Sequence, residues 1–236
     1  MRVTVRPMLA TDLAETPRLH RDVLGAEFVA RCGLGFLRCY HRAWLDSPYG
    51  IALVAEDGRG DVVGVLLGAV HPAAHYRRML LRDGLALGSW LALRSATHPS
   101  VGWEVVSTRM VRYAAGSYRI VAASVRRGIA KPRVGVGVPP GASYQEGASE
   151  AELEPAVGEV THLMVRADLQ SNGVGRDLLG AAVSTARAEG LDELVLVTLV
   201  GLGAKGFYEH LGWEPGGTVV SRSGEHFFRY ILKLGV

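Results

Sequence analysis

The sequence has little cysteine and no long apolar run, and it lacks the signatures of several common enzyme classes. Two cysteines in 236 residues, Cys32 and Cys39, exclude a disulfide-built scaffold. They lie in a segment whose apolar residues repeat with helical spacing, so one helix face should carry both. Two helical turns separate them by ~10 Å, beyond disulfide reach, and a reducing compartment is expected. No run approaches the ~18 apolar residues of a membrane span. The opening MRVTVRPMLATDLAETP lacks the apolar stretch of a secretory signal. A cytoplasmic protein without a membrane span is therefore expected. There is no Gly-x-Ser-x-Gly elbow of a serine hydrolase and no Gly-Lys-Ser/Thr of a phosphate-binding loop. The eight histidines and two cysteines show no metal-ligand spacing, so metal independence is expected.

With 48% hydrophobic and 21% charged residues, the chain is too apolar for disorder and has the composition of a globular protein. Its length suits a single domain spanning residues 1–236. Val3 to Arg6 alternate as a first strand. Thr11 and Asp12 offer an N-cap for a first helix, and apolar spacing from Glu27 to Trp44 predicts one further helix. IALVAED and VVGVLLGAV flank Gly58-Arg59-Gly60-Asp61 as an antiparallel hairpin. Two or three amphipathic helices then occupy a block from Pro72 with a turn near His98, and residues 131–158 read as a long loop. From Glu159 a strand, a helix ending at Gly190, a strand, a short helix and two terminal strands follow. The fold class is α/β, a mixed β-sheet flanked by helices, with residues 72–157 as a helical and loop insertion. Charge is concentrated in that insertion: between Pro72 and Arg133 stand eleven Lys or Arg and two acids, Asp83 and Glu104. Acidic residues follow at 146, 150, 152, 154 and 159.

The stretch Gln170-Ser171-Asn172-Gly173-Val174-Gly175-Arg176 lies between a predicted strand and an amphipathic helix. Glycines there let the backbone turn sharply and bring its N–H groups close to an anion, and the helix start adds roughly half a positive charge. A pyrophosphate fits such a cradle, and so does a purely structural turn. Leu178 stands where a dinucleotide-binding fingerprint needs its third glycine, which argues against that class.

The combination HLMVRADLQSNGVGRDLLGAA, LVLVTL and AKGFYEHLGW resembles the GNAT superfamily of acyl-CoA N-acyltransferases. Its signature is Gln/Arg-x-x-Gly-x-Gly/Ala followed by a Phe-Tyr helix. The resemblance implies a mixed sheet splayed after its fourth strand. It also implies acetyl-CoA or another acyl-CoA as donor, with the pyrophosphate on the backbone from Gln170 through Ser171, Asn172, Gly173, Val174 and Gly175 to Arg176. The pantetheine arm would pair with the strand at Met164 and Val165. Asn172, where a basic residue is frequent, and Gly201, where an Asn often contacts the pantetheine, depart from the family pattern.

Acyl transfer to an amine needs a free nitrogen lone pair, whereas an alkyl amine has a pKa of ~10.4. Glu159 is the candidate base, matching a position so used in some family members; a solvated carboxylate closing the acidic tract is the alternative. His162, the other candidate base, is predicted on the opposite strand face, where a structural histidine is the favoured reading. Tyr208, of the Phe-Tyr pair, takes from the resemblance the role of acid toward the leaving thiolate, a packed tyrosine being the alternative. The expected function is N-acyltransfer, foremost N-acetyltransfer, to a primary amine of a small molecule in a ternary complex. A carrier-protein-bound donor or acceptor, and a non-catalytic binding module, are the competing readings. The basic insertion suits an acidic partner such as a carrier protein, or a solvated face whose apolar side, with Leu80, Leu81, Leu85, Trp90 and Leu91, covers the acceptor cleft or a homodimer interface. Nucleic acid is not expected, since no recognition motif accompanies the charge.

Overall fold

A computed structural model describes residues 3–99, 156–202, 204–220 and 226–235. The apolar run Val62–Ala69 is buried at every position, as a strand covered on both faces must be. It forms β3 at the heart of the sheet, hydrogen-bonded to β2 (Gly50–Glu56) across the hairpin expected at Gly58 to Asp61. In that turn the Asp57 carboxylate accepts the N–H groups of Arg59 and Asp61 at 2.9 and 3.1 Å. With β1 (Thr4–Pro7), β4 (Val157–Val165), β5 (Glu193–Leu199), β6 (Glu214–Val220) and β7 (His226–Lys233), the described residues form a seven-stranded sheet of order β1-β2-β3-β4-β5-β7-β6. Only the β4–β5 pair is parallel, so the sheet is mixed.

Helices cover both faces. On one, α5 (Val174–Ala188) lays Leu178, Leu179, Ala182 and Ala186 on Val63, Leu66, Leu194 and Leu196. On the other, α1 (Thr16–Val23), α2 (Phe28–Arg31) and α3 (Leu34–Leu45) bury Leu19, Phe28, Phe36, Tyr40 and Trp44 against Val54, Val65, Leu67 and Met164. α4 (Pro72–Thr97) packs along α3, and α6 (Lys205–His210) follows β5. Among the described residues no helix is long and apolar enough to cross a membrane.

Several boundaries differ from the sequence expectation, each for a local reason. The single helix expected from Glu27 to Trp44 is two, because Gly33 has φ 92° and ψ 167° and cannot continue a right-handed helix. Cys32 therefore ends α2, its Sγ donating to the Phe28 carbonyl at 3.3 Å, and Cys39 sits on α3. Asp12 does not cap α1. Its carboxylate accepts the Leu9 N–H at 2.7 Å inside a 3-10 turn, Ala10–Ala14, and two hydrogen bonds from Arg6 at 2.7 and 3.0 Å. The helix starts only at Thr16, with Pro17 in its first turn. β4 begins at Val157, two residues before the expected Glu159. In α4, Leu91 packs inward while Leu81 and Leu85 face outward. The second helix expected in the insertion, the loop from 131 to 155 and most of the insertion's arginines lie outside the described residues.

Candidate active site

Two strands that part company build the site. β4 and β5 pair only over Val157–Val160 and Glu193–Leu196. Beyond that point β5 pairs with β7, through Val197 with Arg229 and Leu199 with Phe227. β4 runs on to Val165 with β3 as its neighbour on one side. The opposite backbone edge, which includes Met164 and Val165, faces the opening between the strands. An extended ligand with amide groups can satisfy such an edge by strand addition.

The predicted phosphate loop follows directly. Gln170 donates its side-chain N–H to the Val165 carbonyl at 3.1 Å, and Asn172 donates to the Gln170 carbonyl at 3.2 Å. Ser171 takes φ 63° and Gly173 φ 85°. A serine in the left-handed region is uncommon and marks a tightly specified turn. The first helical bond of α5 runs from the Asp177 N–H to the Gly173 carbonyl at 3.0 Å, so the N–H groups of Val174, Gly175 and Arg176 belong to the unpaired first turn. A Cβ on Gly173 would stand 3.0 Å from the Arg176 guanidinium, and one on Gly175 would stand 3.3 Å from the Phe207 ring and 3.8 Å from Leu163 and Val165. The cradle is therefore one that side chains would fill, and it fits a pyrophosphate held on backbone N–H groups at a helix start. Arg176 is largely exposed and pairs with Asp177 at 3.2 Å.

Glu159 sits where β4 leaves β5. Its Oε1 accepts the Tyr76 hydroxyl and the Thr161 hydroxyl, both at 3.1 Å. Burial and the Glu159 charge push the Tyr76 phenol up, so Tyr76 remains a donor. Tyr208, in α6, is buried, with its ring 5.5 Å from Tyr230 and 6.3 Å from Trp213. Burial, with Tyr230 adding to it, pushes its phenol up to about 12. Among the described residues no hydrogen bond joins Glu159 to Tyr208; the two approach from different elements.

One expectation about β4 is corrected. His162 was predicted on the face opposite Glu159, but Leu67 pairs with His162 and Gly68 with Val160, leaving Thr161 as an extra residue. This β-bulge reverses the alternation. Val160 packs in the α5 cluster while Met164 packs with α1 and α3. His162 now lies on the side of Glu159, its Nε2 3.0 Å from the Tyr40 hydroxyl, and the Glu159 charge is felt at Tyr40 itself.

Sequence reasoning missed the groups that gather there. His20 on α1, Glu27 at the start of α2 and His162 bring three ligand-type atoms within 4.8 Å of one another. Nδ1 of His20 lies 2.9 Å from His41 Nε2. Burial would raise the Glu27 carboxyl, but the facing imidazoles of His162 and His20 outweigh it and hold it at about 2. Burial lowers His20 and His41, favouring their neutral forms. No spacing rule links these positions; only the packing of α1 and α3 on β4 does.

Residues 138–213 match the model of the Acetyltransferase (GNAT) family. No curated protein matches the sequence. Among solved structures, the fold is similar to that of an N-acetyltransferase from Staphylococcus aureus Mu50, at 13% identity and TM-score 0.56 with 100% of both chains covered. It is similar to Ard1 from Thermoplasma volcanium, at 12% identity and TM-score 0.53 with 100% of both covered. It is also similar to the NatC complex bound to Gag peptide and CoA, at 13% identity and TM-score 0.51, again with 100% of both covered. At such identities the likeness speaks for the fold, and the family match speaks for the segment that holds the cradle. Together they give the described residues the fold of N-acetyltransferase structures and residues 138–213 the sequence pattern of the GNAT acetyltransferase family.

Proposed function

We propose that the protein transfers an acyl group, in the first instance acetyl, from acyl-coenzyme A to the primary amine of a small molecule, by direct attack in a ternary complex. The observation that carries this reading is the junction of an open β4 edge with a glycine cradle at the start of α5. One feature suits an amide-bearing arm and the other a pyrophosphate, and coenzyme A has both in that order.

The backbone N–H groups from Gln170 to Arg176 would hold the pyrophosphate, and the edge at Met164 and Val165 would pair with the arm. When bound, the thioester supplies an activated acyl carbon. Glu159 takes the proton that the bound ammonium must lose before its nitrogen can attack, directly or through water. Among the described residues both its hydrogen bonds fall on Oε1, so Oε2 is the oxygen that accepts that proton. A strand N–H near Val165 would stabilise the oxyanion. Tyr208, its phenol at about 12, is protonated at neutral pH and donates a hydrogen bond to the leaving sulfur. A thiol of pKa ~8.5 is the stronger acid, so Tyr208 assists departure mainly as a donor, and solvent completes the protonation.

Steady-state kinetics with acetyl-CoA and a panel of primary amines, followed by thiol release, test the reading. Intersecting double-reciprocal lines are expected for direct attack. Parallel lines would indicate a covalent acyl-enzyme and contradict it, and absence of turnover with free acyl-CoA would favour a carrier-bound donor.

A further inference from the structure

We infer that His20, Glu27 and His162 form a binding site for one divalent transition-metal ion of the zinc class. The cluster is built from three parts of the chain: α1, the residue preceding α2, and the bulged segment of β4. Glu27 Oε2 stands 3.3 Å from His162 Nδ1 and 3.7 Å from His20 Nε2. Ligand atoms in a tetrahedral zinc shell, at ~2.0–2.1 Å from the ion, lie roughly 3.3 Å apart, so small shifts would close the set around an ion.

The second observation concerns the two imidazoles. His20 is fully buried and His162 nine-tenths buried, and among the described residues neither His20 Nε2 nor His162 Nδ1 has a hydrogen-bond partner apart from the Glu27 carboxylate that faces both. The opposite nitrogen of each ring is engaged: His20 Nδ1 with His41, and His162 Nε2 with Tyr40. Metal-bound histidines are held in this way, one nitrogen on the ion and the other oriented by an outer partner. Two neutral imidazoles and one carboxylate select zinc, cobalt or nickel over magnesium or calcium, which prefer oxygen shells. The partly exposed Glu27 side chain gives the ion a path from solvent, and three protein ligands leave a fourth position for water. The bound ion would tie the start of α2 to β4 beside Glu159. The site is inferred from these side chains alone, independently of the acyltransfer reading.

The test is calorimetric titration of chelator-treated full-length protein with Zn2+, paired with visible absorption after Co2+ addition. One equivalent is expected to bind, with the absorption of tetrahedral cobalt and a zinc-dependent rise in melting temperature. Glu27→Gln, at a partly exposed position, should weaken binding by about 100-fold or more, and Tyr40→Phe by about tenfold through the lost outer partner. Circular dichroism checks that both variants fold. Two results would overturn the inference: no stoichiometric binding, which would make the trio an ion-free hydrogen-bonded cluster, or binding unchanged in Glu27→Gln, which would place the ion on exposed histidines elsewhere.

Discussion

In the proposed reaction the two halves of this protein carry their chemistry in different materials. In the C-terminal half, from β4 to α6, the working parts are mainly backbone: an unpaired strand edge, a first helical turn and a glycine cradle, contiguous within the span from Val157 to Arg176. In the N-terminal half the working parts are side chains. Tyr76 reaches Glu159 across 83 positions, and Tyr40 reaches His162 across 122. Backbone sites need glycine and a helix start, and tolerate much change elsewhere. Side-chain sites need every contributing element in register, so their chemistry depends on the stability of the helical layer.

The sharpest way to break this comparison is to remove a side chain where the halves meet. Glu159→Gln should lower kcat by about 10²–10³-fold with KM for acyl-CoA little changed, since the cradle does not use that carboxylate. An unchanged kcat would remove the Glu159 carboxylate, and the Tyr76 contact that holds it, from the chemistry.

Acid should then weaken the helical half. His75 is fully buried, stacked 3.9 Å from the Trp44 ring, with Nδ1 2.9 Å from the Ser47 hydroxyl. Burial, reinforced by Arg78, lowers it from 6.5 to about 4. Between those values the unfolded chain binds a proton that the folded chain does not. The associated stability, on the order of 3 kcal/mol, is therefore complete above about pH 6.5 and lost as pH falls toward 4. Thermal melts from pH 7 to 4.5 should show this decline, and a flatter profile in His75→Phe would assign it to this ring.

Gly33→Ala probes the break between α2 and α3. The nearest neighbour of an added Cβ would be Arg94 at 3.8 Å, so the cost is backbone strain alone, about 1–3 kcal/mol, read as a lower denaturation midpoint. The smallest effect belongs to Tyr208→Phe, about tenfold in kcat, or ~1.4 kcal/mol, because the ring stays packed on Tyr230.

The sequence was most readable where chemistry and chain order coincide. The cradle, its flanking strand and helix, and the Phe-Tyr helix stand in one run, and the hydrophobic periods of the strands and α5 were enough to place these elements along the chain, though not to order them in the sheet. The side of β4 on which His162 lies was not readable, because one extra residue at Thr161 inverts a period-2 pattern and leaves no compositional mark. The Glu27–Trp44 segment kept a helical period across Gly33 even though the backbone breaks there. The cluster of His20, Glu27, His41 and His162 was invisible for a different reason: its members share no spacing, and only tertiary packing makes them neighbours.

The central claim is that the β4 edge and the α5 cradle bind coenzyme A. Calorimetric titration with acetyl-CoA and free CoA tests it, comparing the native protein with a Gly173→Trp, Gly175→Trp double variant whose side chains would fill the cradle. Micromolar binding to the native protein, weakened about 100-fold or more in the variant, ~2.7 kcal/mol, is the predicted result. Equal affinity in both proteins, or no binding to the native one, would contradict it.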